Sequence, residues 1–214
     1  MRITWFNKIT IYTVIFLSFL FPLSIVAQSS EKTIEDVFQE YKKSISEERM
    51  EDAATFLDSN TRNYFKTLLH HIYYSDSLAL DTLPALDKFW IILMRQSITK
   101  DELLLYTDLD LTIYFLQQLG LISIFDINIS KIMVDNNIAT AEIRQKKDQI
   151  PGELKFYKEE GGWKIDMRRS LIGSQDLFEL VIIESGKSVN EVILEAVEEM
   201  NGSKPASTIW NNLK

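Results

Sequence analysis

Apolar residues recur at helical spacing along the first half of the chain. Ile34, Val37, Phe38, Tyr41 and Ile45 fall at i, i+3, i+4, i+7 and i+11, one stripe of an amphipathic helix. Thr33-Ile34-Glu35-Asp36 has the form of a capping box with a short acid, which predicts that this helix starts at Thr33, behind a polar leader from Gln28 to Lys32. A second helix is expected from Ser46, burying Met50, Ala53, Ala54 and Leu57. Asp58-Ser59-Asn60-Thr61 interrupts and caps a third, whose stripe is Tyr64, Phe65, Leu68, Leu69 and Ile72. After a polar break from Ser75 to Thr82, Pro84 suits the first turn of a fourth helix. Its main face is Leu86, Phe89, Trp90 and Leu93, and Ile91, Ile92 and Met94 leave little polar surface, so it should lie centrally. Thr99-Lys100-Asp101-Glu102 is a capping box for a short helix through Tyr106, and Thr107 to Asp110 opens another through Leu119 with Gly120 as its left-handed cap.

At Ile127 the period changes to two. Ile127 and Ile129 share one face of a strand while Ile132 and Val134 share the other, a phase change that a bulge at Ser130-Lys131 repairs. Asp135-Asn136-Asn137 supplies a tight turn, because Asn and Asp tolerate positive φ. The next strand alternates Ala139, Ala141 and Ile143 inward against Thr140, Glu142 and Arg144 outward. Gln149 to Gly152 breaks it. A third strand puts Leu154 and Phe156 on one face, with Lys155 and Tyr157 on the other. Glu159-Glu160-Gly161-Gly162 turns the chain into a fourth, with Trp163, Ile165 and Met167 inward against Lys164, Asp166 and Arg168. Gly173 to Glu184 contains the apolar stretch LFELVII, read as helix with a buried strand as the alternative. Ser188 and Glu191 cap an amphipathic helix carrying Val192, Ile193, Ala196, Val197 and Met200. In the tail, Ile209, Trp210 and Leu213 are expected to pin the chain end to the body.

The pattern is that of an α+β domain: N-terminal helices packed on a curved antiparallel four-stranded meander, followed by a helical extension from about residue 170 to 214. Ahead of it, Arg2 and Lys8 precede an apolar run from Ile9 to Val26 that ends at Ala27, the layout of a secretory signal peptide cleaved after Ala27. An uncleaved anchor is the alternative, and only then is a membrane a partner. Residues 28–214 then form one exported domain, periplasmic or extracellular. Removing Arg2 and Lys8 from the 23 basic residues leaves 21 against 31 acids, a net charge of −10, which disfavours nucleic acid as a partner. With no cysteine, the domain relies on its core rather than on disulfides, and cysteine chemistry is excluded.

Helices followed by a meander closing on Phe156-Tyr157-Lys158-Glu159-Glu160-Gly161-Gly162-Trp163-Lys164-Ile165-Asp166 resemble the nuclear transport factor 2-like superfamily, the cystatin-like cone that includes ketosteroid isomerase and SnoaL-like proteins. The strand from Asn137 to Arg144 and the run from Glu48 to Phe65 add to the resemblance, which covers about Thr33 to Arg169. It implies a cone-shaped sheet with helices over it. Function does not follow, because that superfamily spans isomerases, dehydratases and binding domains. The chain departs from it in a longer helical segment between Thr61 and Leu119 and in the residues after Arg169.

Candidate chemistry is sparse. His70 and His71 are the only histidines, and adjacent helical positions point about 100° apart, so they cannot clamp one metal. Asp108 and Asp110 form a pair whose simplest role is capping. Asp126 precedes the first strand but has no tyrosine partner in the pattern. Arg168-Arg169 with Lys164 makes a small basic spot on the last strand. Phe89, Trp90, Tyr114, Phe115 and Trp163 are the candidate lining of an apolar pocket, and plain core is the alternative. No residue pattern implies a catalytic group, a metal or a cofactor. The reading is an exported cell-envelope binding module, non-enzymatic in the plain sense that no catalytic set is legible, with a small apolar ligand or an envelope protein as partner and a homodimer as an option. The alternatives are an isomerase- or dehydratase-type enzyme using a carboxylate in the cone, and a protein-interaction or structural protein.

Overall fold

The computed structural model describes the backbone of residues 22–123, 127–145 and 152–214, and side chains from residue 33 onward except 118–126, 145–151 and 169–174. The architecture is α+β: helices, a four-stranded antiparallel meander, then helices. Among the described residues seven helices precede the sheet: α1 (Pro22–Ser46), α2 (Met50–Thr55), α3 (Ser59–Tyr74), α4 (Ser77–Leu80), α5 (Ala85–Ser97), α6 (Lys100–Leu103) and α7 (Asp108–Ser123). The strands are β1 (Ile127–Asp135), β2 (Ile138–Gln145), β3 (Gly152–Glu159) and β4 (Gly162–Asp166), in spatial order 1-2-3-4. α8 (Arg168–Ser185), α9 (Val189–Asn201) and a 3-10 turn (Ser207–Trp210) complete the chain.

The sheet follows its sequence pattern as far as Ile165; Asp166, expected outward, is buried, and the strand ends there, before Met167. The register of β1 against β2 shifts between Ser130 and Met133, with Lys131 at φ 47°, which is the bulge that the apolar phase change requires. Asn136 takes φ 53° in the two-residue turn to β2, and Gly161 and Gly162 take φ 92° and 116° between β3 and β4. Ala139, Ala141, Leu154, Phe156, Trp163 and Ile165 are buried on one face, while Thr140, Lys155, Tyr157 and Lys164 lie on the other. The break at Gln149 to Pro151 lies outside the described residues, and β3 begins at Gly152 itself.

Two hydrophobic cores share one helix. The inner sheet face is packed by Ile34, Phe38, Tyr41 and Ile45 of α1, by Met50, Ala53 and Ala54 of α2, and by Leu116 of α7. A second, all-helical core joins α3, α5, α6, α7 and α9. α7 turns Leu111 and Phe115 into the helical core and Leu116 into the sheet core, so it is the spine between them. α5 is central to the helical core, as its near-continuous apolar surface predicts: Leu86 and Phe89 to Met94 are all buried. The segment joining α2 to α3 binds the outer edge of β4, through Ile165 N–H to Phe56 O (2.8 Å) and Asp58 N–H to Ile165 O (3.0 Å). An edge so covered cannot template pairing with another chain.

Several element boundaries differ from the sequence expectation. The helix expected from Thr33 extends back to Pro22, because Leu23 to Lys32 contains neither Gly nor Pro to stop it, and a capping-box pattern marks a start only where the preceding residues leave the helix. Residues 1–21 of the expected leader lie outside the described residues. The second helix starts at Met50 rather than Ser46, after a turn with Glu48 at φ 57°. The polar break from Ser75 contains α4, capped by Asp76. The short helix from Lys100 stops at Leu103, not Tyr106. Gly120 does not cap α7, which continues to Ser123, since a mid-helix glycine costs only about 1 kcal/mol against alanine. The stretch expected as helix from Gly173 is helix from Arg168, capped by Gly186 at φ 65°.

Candidate functional site

The five aromatic candidates are divided between the two cores. Phe89, Trp90 and Phe115 are buried in the helical core with Tyr114 against it, whereas Trp163 belongs to the sheet core. Phe178 of α8 meets Phe89 at 5.3 Å between ring centroids, Phe89 meets Trp90 at 4.9 Å, Trp90 meets Phe115 edge-on at 4.9 Å, and Phe115 stacks on Phe65 at 5.2 Å. This ladder runs from α8 through α5 and α7 to α3. Each such pair is worth roughly 0.5–1.5 kcal/mol beyond burial, so its structural effect is to seat α8 on the body.

Two cations stand in the otherwise apolar α5. Lys88 Nζ donates to Asp81 Oδ1 (2.8 Å) and to Asn190 Oδ1 (3.2 Å), tying α5 to the α4 end and to α9. Arg95 donates to four carbonyls: Nε to Ile72 O (3.0 Å), Nη2 to His71 O (3.1 Å) and Ser75 O (2.7 Å), and Nη1 to Ile209 O (3.1 Å). Burial pulls its pKa down to about 10, which leaves it a cation at neutral pH. The tail supplies further donors there, Leu213 N–H and Lys214 N–H to Tyr73 O (2.9 and 3.1 Å). The C-terminus of α3 is therefore closed by a guanidinium and the chain end together.

Tyr64 Oη donates to Asp87 Oδ1 at 2.6 Å between α3 and α5. Burial raises the Asp87 carboxyl above its ordinary pKa, against the opposing effects of Tyr64 and His71, and burial also raises the Tyr64 phenol. This is an acid beside a phenol, but it lies in the helical layer and not on the sheet. A raised folded-state pKa means that the native state holds more protons than the unfolded chain above the unfolded pKa, so this group's contribution falls as pH rises through the folded value. Asp87→Asn removes that ionisation and keeps an acceptor for Tyr64. The variant is expected to gain stability relative to the parent as pH rises from about 4 to 7, read by urea melts at each pH; a difference that is flat across this range sinks the assignment.

The remaining sequence candidates resolve simply. His70 is exposed, and His71 is half-buried with Nδ1 2.9 Å from Ser75 Oγ, its pKa lowered by burial and by His70. Asp110 accepts from Thr107 N–H (2.8 Å) and Thr107 Oγ1 (2.6 Å), the capping role, and these bonds lower its pKa. Asp126 lies outside the described residues. Arg168 is not on the last strand: β4 ends at Asp166, and Arg168 opens α8 with its Nε and Nη2 on the two oxygens of the buried Asp166 carboxylate (3.0 and 2.9 Å). Among the described residues no group of three or more His, Asp or Glu is placed to hold a metal, and no helix is long and apolar enough to cross a membrane.

α8 carries a run of exposed apolar side chains. Gln175, Phe178 and Ile182 face the body, half-buried, while Leu177, Leu180, Val181 and Ile183 are 66, 52, 54 and 74% exposed. Leu177, Leu180 and Val181 follow i, i+3, i+4, with Leu180 about 160° round the helix from Phe178 and Val181 about 60°, so apolar side chains continue from the packed side round to the exposed one. No family model, curated protein or solved structure matches this chain. The site is therefore read from its own residues. The apolar run LFELVII carries the signal for this face, because seven residues with one acid exceed what one buried face of a surface helix needs. Lys88, Arg95 and Asp87, which the sequence reading passed over, share a different signal: each interrupts a helix that is otherwise apolar.

Proposed function

We propose that this chain is a protein-interaction module of the cell envelope, exported by its N-terminal segment, with the outer face of α8 as its contact surface. The observation that carries the reading is the exposure of Leu177, Leu180, Val181 and Ile183 on one helix. Four such side chains make a patch on the order of several hundred Å², the size that on soluble proteins marks an interaction site. The packing of the inner sheet face supports the same reading against a small-ligand cone: Phe38, Tyr41, Phe156 and Ile165 fill from opposite sides the space that a cone ligand would use. The nuclear transport factor 2-like resemblance belongs to this proposal as its scaffold, supported by the order of helices and meander and by the Gly161-Gly162-Trp163 turn.

Nile red separates the two readings. The folded protein should enhance the dye's fluorescence, and Leu177→Ser, Leu180→Ser and Val181→Ser combined should remove most of that signal without lowering the melting temperature. A stoichiometric small-molecule adduct in native mass spectrometry that survives the triple substitution would overturn the proposal in favour of a ligand in the sheet core.

A further inference from the structure

We infer that the partner of α8 presents a basic amphipathic helix. The inference rests on the reading of α8 as a contact surface and adds the chemistry of what covers it. With 3.6 residues per turn, Asp176 and Glu184 lie within about 40° of Leu180 around the helix axis, so acids are interleaved with the exposed apolar residues instead of lying on a separate face. Glu179 borders the same face, accepting only from Gln175 Nε2 (2.7 Å) of its own helix. From residue 175 to 203 there are seven carboxylates and one lysine. Lys187 is already held by Glu195 (2.7 Å), and Glu191 by its Ser188 cap. Among the described residues Asp176, Glu179 and Glu184 form no ion pair, which leaves them open to a cationic partner.

That charge balance selects among occupants. A second copy docking through the same face would set these acids against themselves in a two-fold interface, where like charges oppose association. An anionic membrane surface is disfavoured by the same sign. A helix with an apolar stripe flanked by Lys or Arg satisfies both features at once. The i, i+3, i+4 ridge of Leu177, Leu180 and Val181 is the surface into which another helix's side chains interdigitate.

The test uses the protein purified as exported and three fluorescent 18-residue probes in an anisotropy titration. One is an amphipathic Leu/Lys helix, one a Leu/Glu helix of the same pattern, and one a Leu/Lys peptide with the order scrambled. The Leu/Lys helix should bind at least about tenfold more tightly than the other two, and its affinity should fall several-fold between low and high salt. Leu177→Ser/Leu180→Ser/Val181→Ser should abolish its binding, and Asp176→Asn/Glu179→Gln/Glu184→Gln should keep residual binding but lose the salt dependence. Equal binding of the Leu/Glu and Leu/Lys helices overturns the charge inference while the contact surface stands, and equal binding of the scrambled peptide reduces it to nonspecific attraction. Binding that the triple serine variant leaves intact, or no binding by any probe, overturns the contact surface itself. A dimer through α8 in sedimentation, abolished by Leu180→Ser, would assign the face to a second copy instead.

Discussion

Arg95→Ala should destabilise the protein by about 3 kcal/mol, which for a domain of this length lowers the melting temperature by about 10 °C. Arg95 is 8% exposed and has no carboxylate partner among the described residues; its four acceptors are backbone carbonyls from α3, the turn after it, and the tail. Removing it strands acceptors that water reaches poorly, a larger loss than the roughly 0.5–2 kcal/mol of an ordinary helix cap. Arg95→Lys should recover only a part, since an ammonium on a flexible stem cannot span the fork that serves both Ile72 and Ile209. Deleting residues 204–214 should destabilise too, and in the double variant the two losses should be less than additive because the Nη1 bond to Ile209 O is counted in both. Thermal melts of the four proteins decide this. A loss under about 0.5 kcal/mol for Arg95→Ala would mean that water replaces the guanidinium freely and that the chain end is not locked by it.

What could be read in the sequence was whatever depends on short-range periodicity. The meander was legible down to its bulge, because an apolar phase that flips between Ile129 and Ile132 admits few other solutions. Capping boxes at Thr99 and Ser188 were legible for the same reason, since donor and acceptor are three residues apart. Helix ends that depend on a neighbour's packing were not: nothing local tells Gly120, which α7 passes through, from Gly202, which ends α9 at φ 68°. The division of side chains between the two cores was also illegible. Phe115 and Leu116 are adjacent in sequence, yet one enters the helical core and the other the sheet core, because of how α7 sits between α3 and the sheet. Pairings such as Tyr64 with Asp87, or Arg95 with Ile209, join residues 23 and 114 positions apart and carry no sequence signature beyond a polar residue in an apolar helix.

The exposed face of α8 follows from the same split. α7 completes both cores, and α5 with α9 closes the helical one; among the described side chains of α8, Phe178 and its half-buried neighbours are those that join the packing. Leu177, Leu180, Val181 and Ile183 stay more than half exposed in the folded chain. Apolar surface that stability does not use is where a functional explanation has most weight.

Whether the inner sheet face is core or cavity is decided by two substitutions of opposite expected sign. Phe156 is fully buried at the middle of β3, between Ala139 on β2 and Ile165 on β4 and beneath α1. In a packed core Phe156→Ala removes the ring's transfer energy and leaves a void, a loss of about 3–5 kcal/mol. Tyr41 lies in the same core with its hydroxyl buried and without a hydrogen-bond partner among the described residues, and burial holds that phenol neutral by raising its pKa far above the ordinary value. Tyr41→Phe deletes a polar atom that makes no bond and leaves the ring in place, so it should be neutral or stabilise by about 1 kcal/mol. Urea melts give both values, and unchanged m-values would show that the same surface is buried in each variant. A cavity reverses the expectation. There Phe156→Ala would cost under about 1 kcal/mol, because its ring would already lack packing partners, and Tyr41→Phe would be destabilising, because its hydroxyl would be bonded to the cavity's contents. The first outcome leaves α8 as the surface on which function has to be sought, and the second returns it to the sheet.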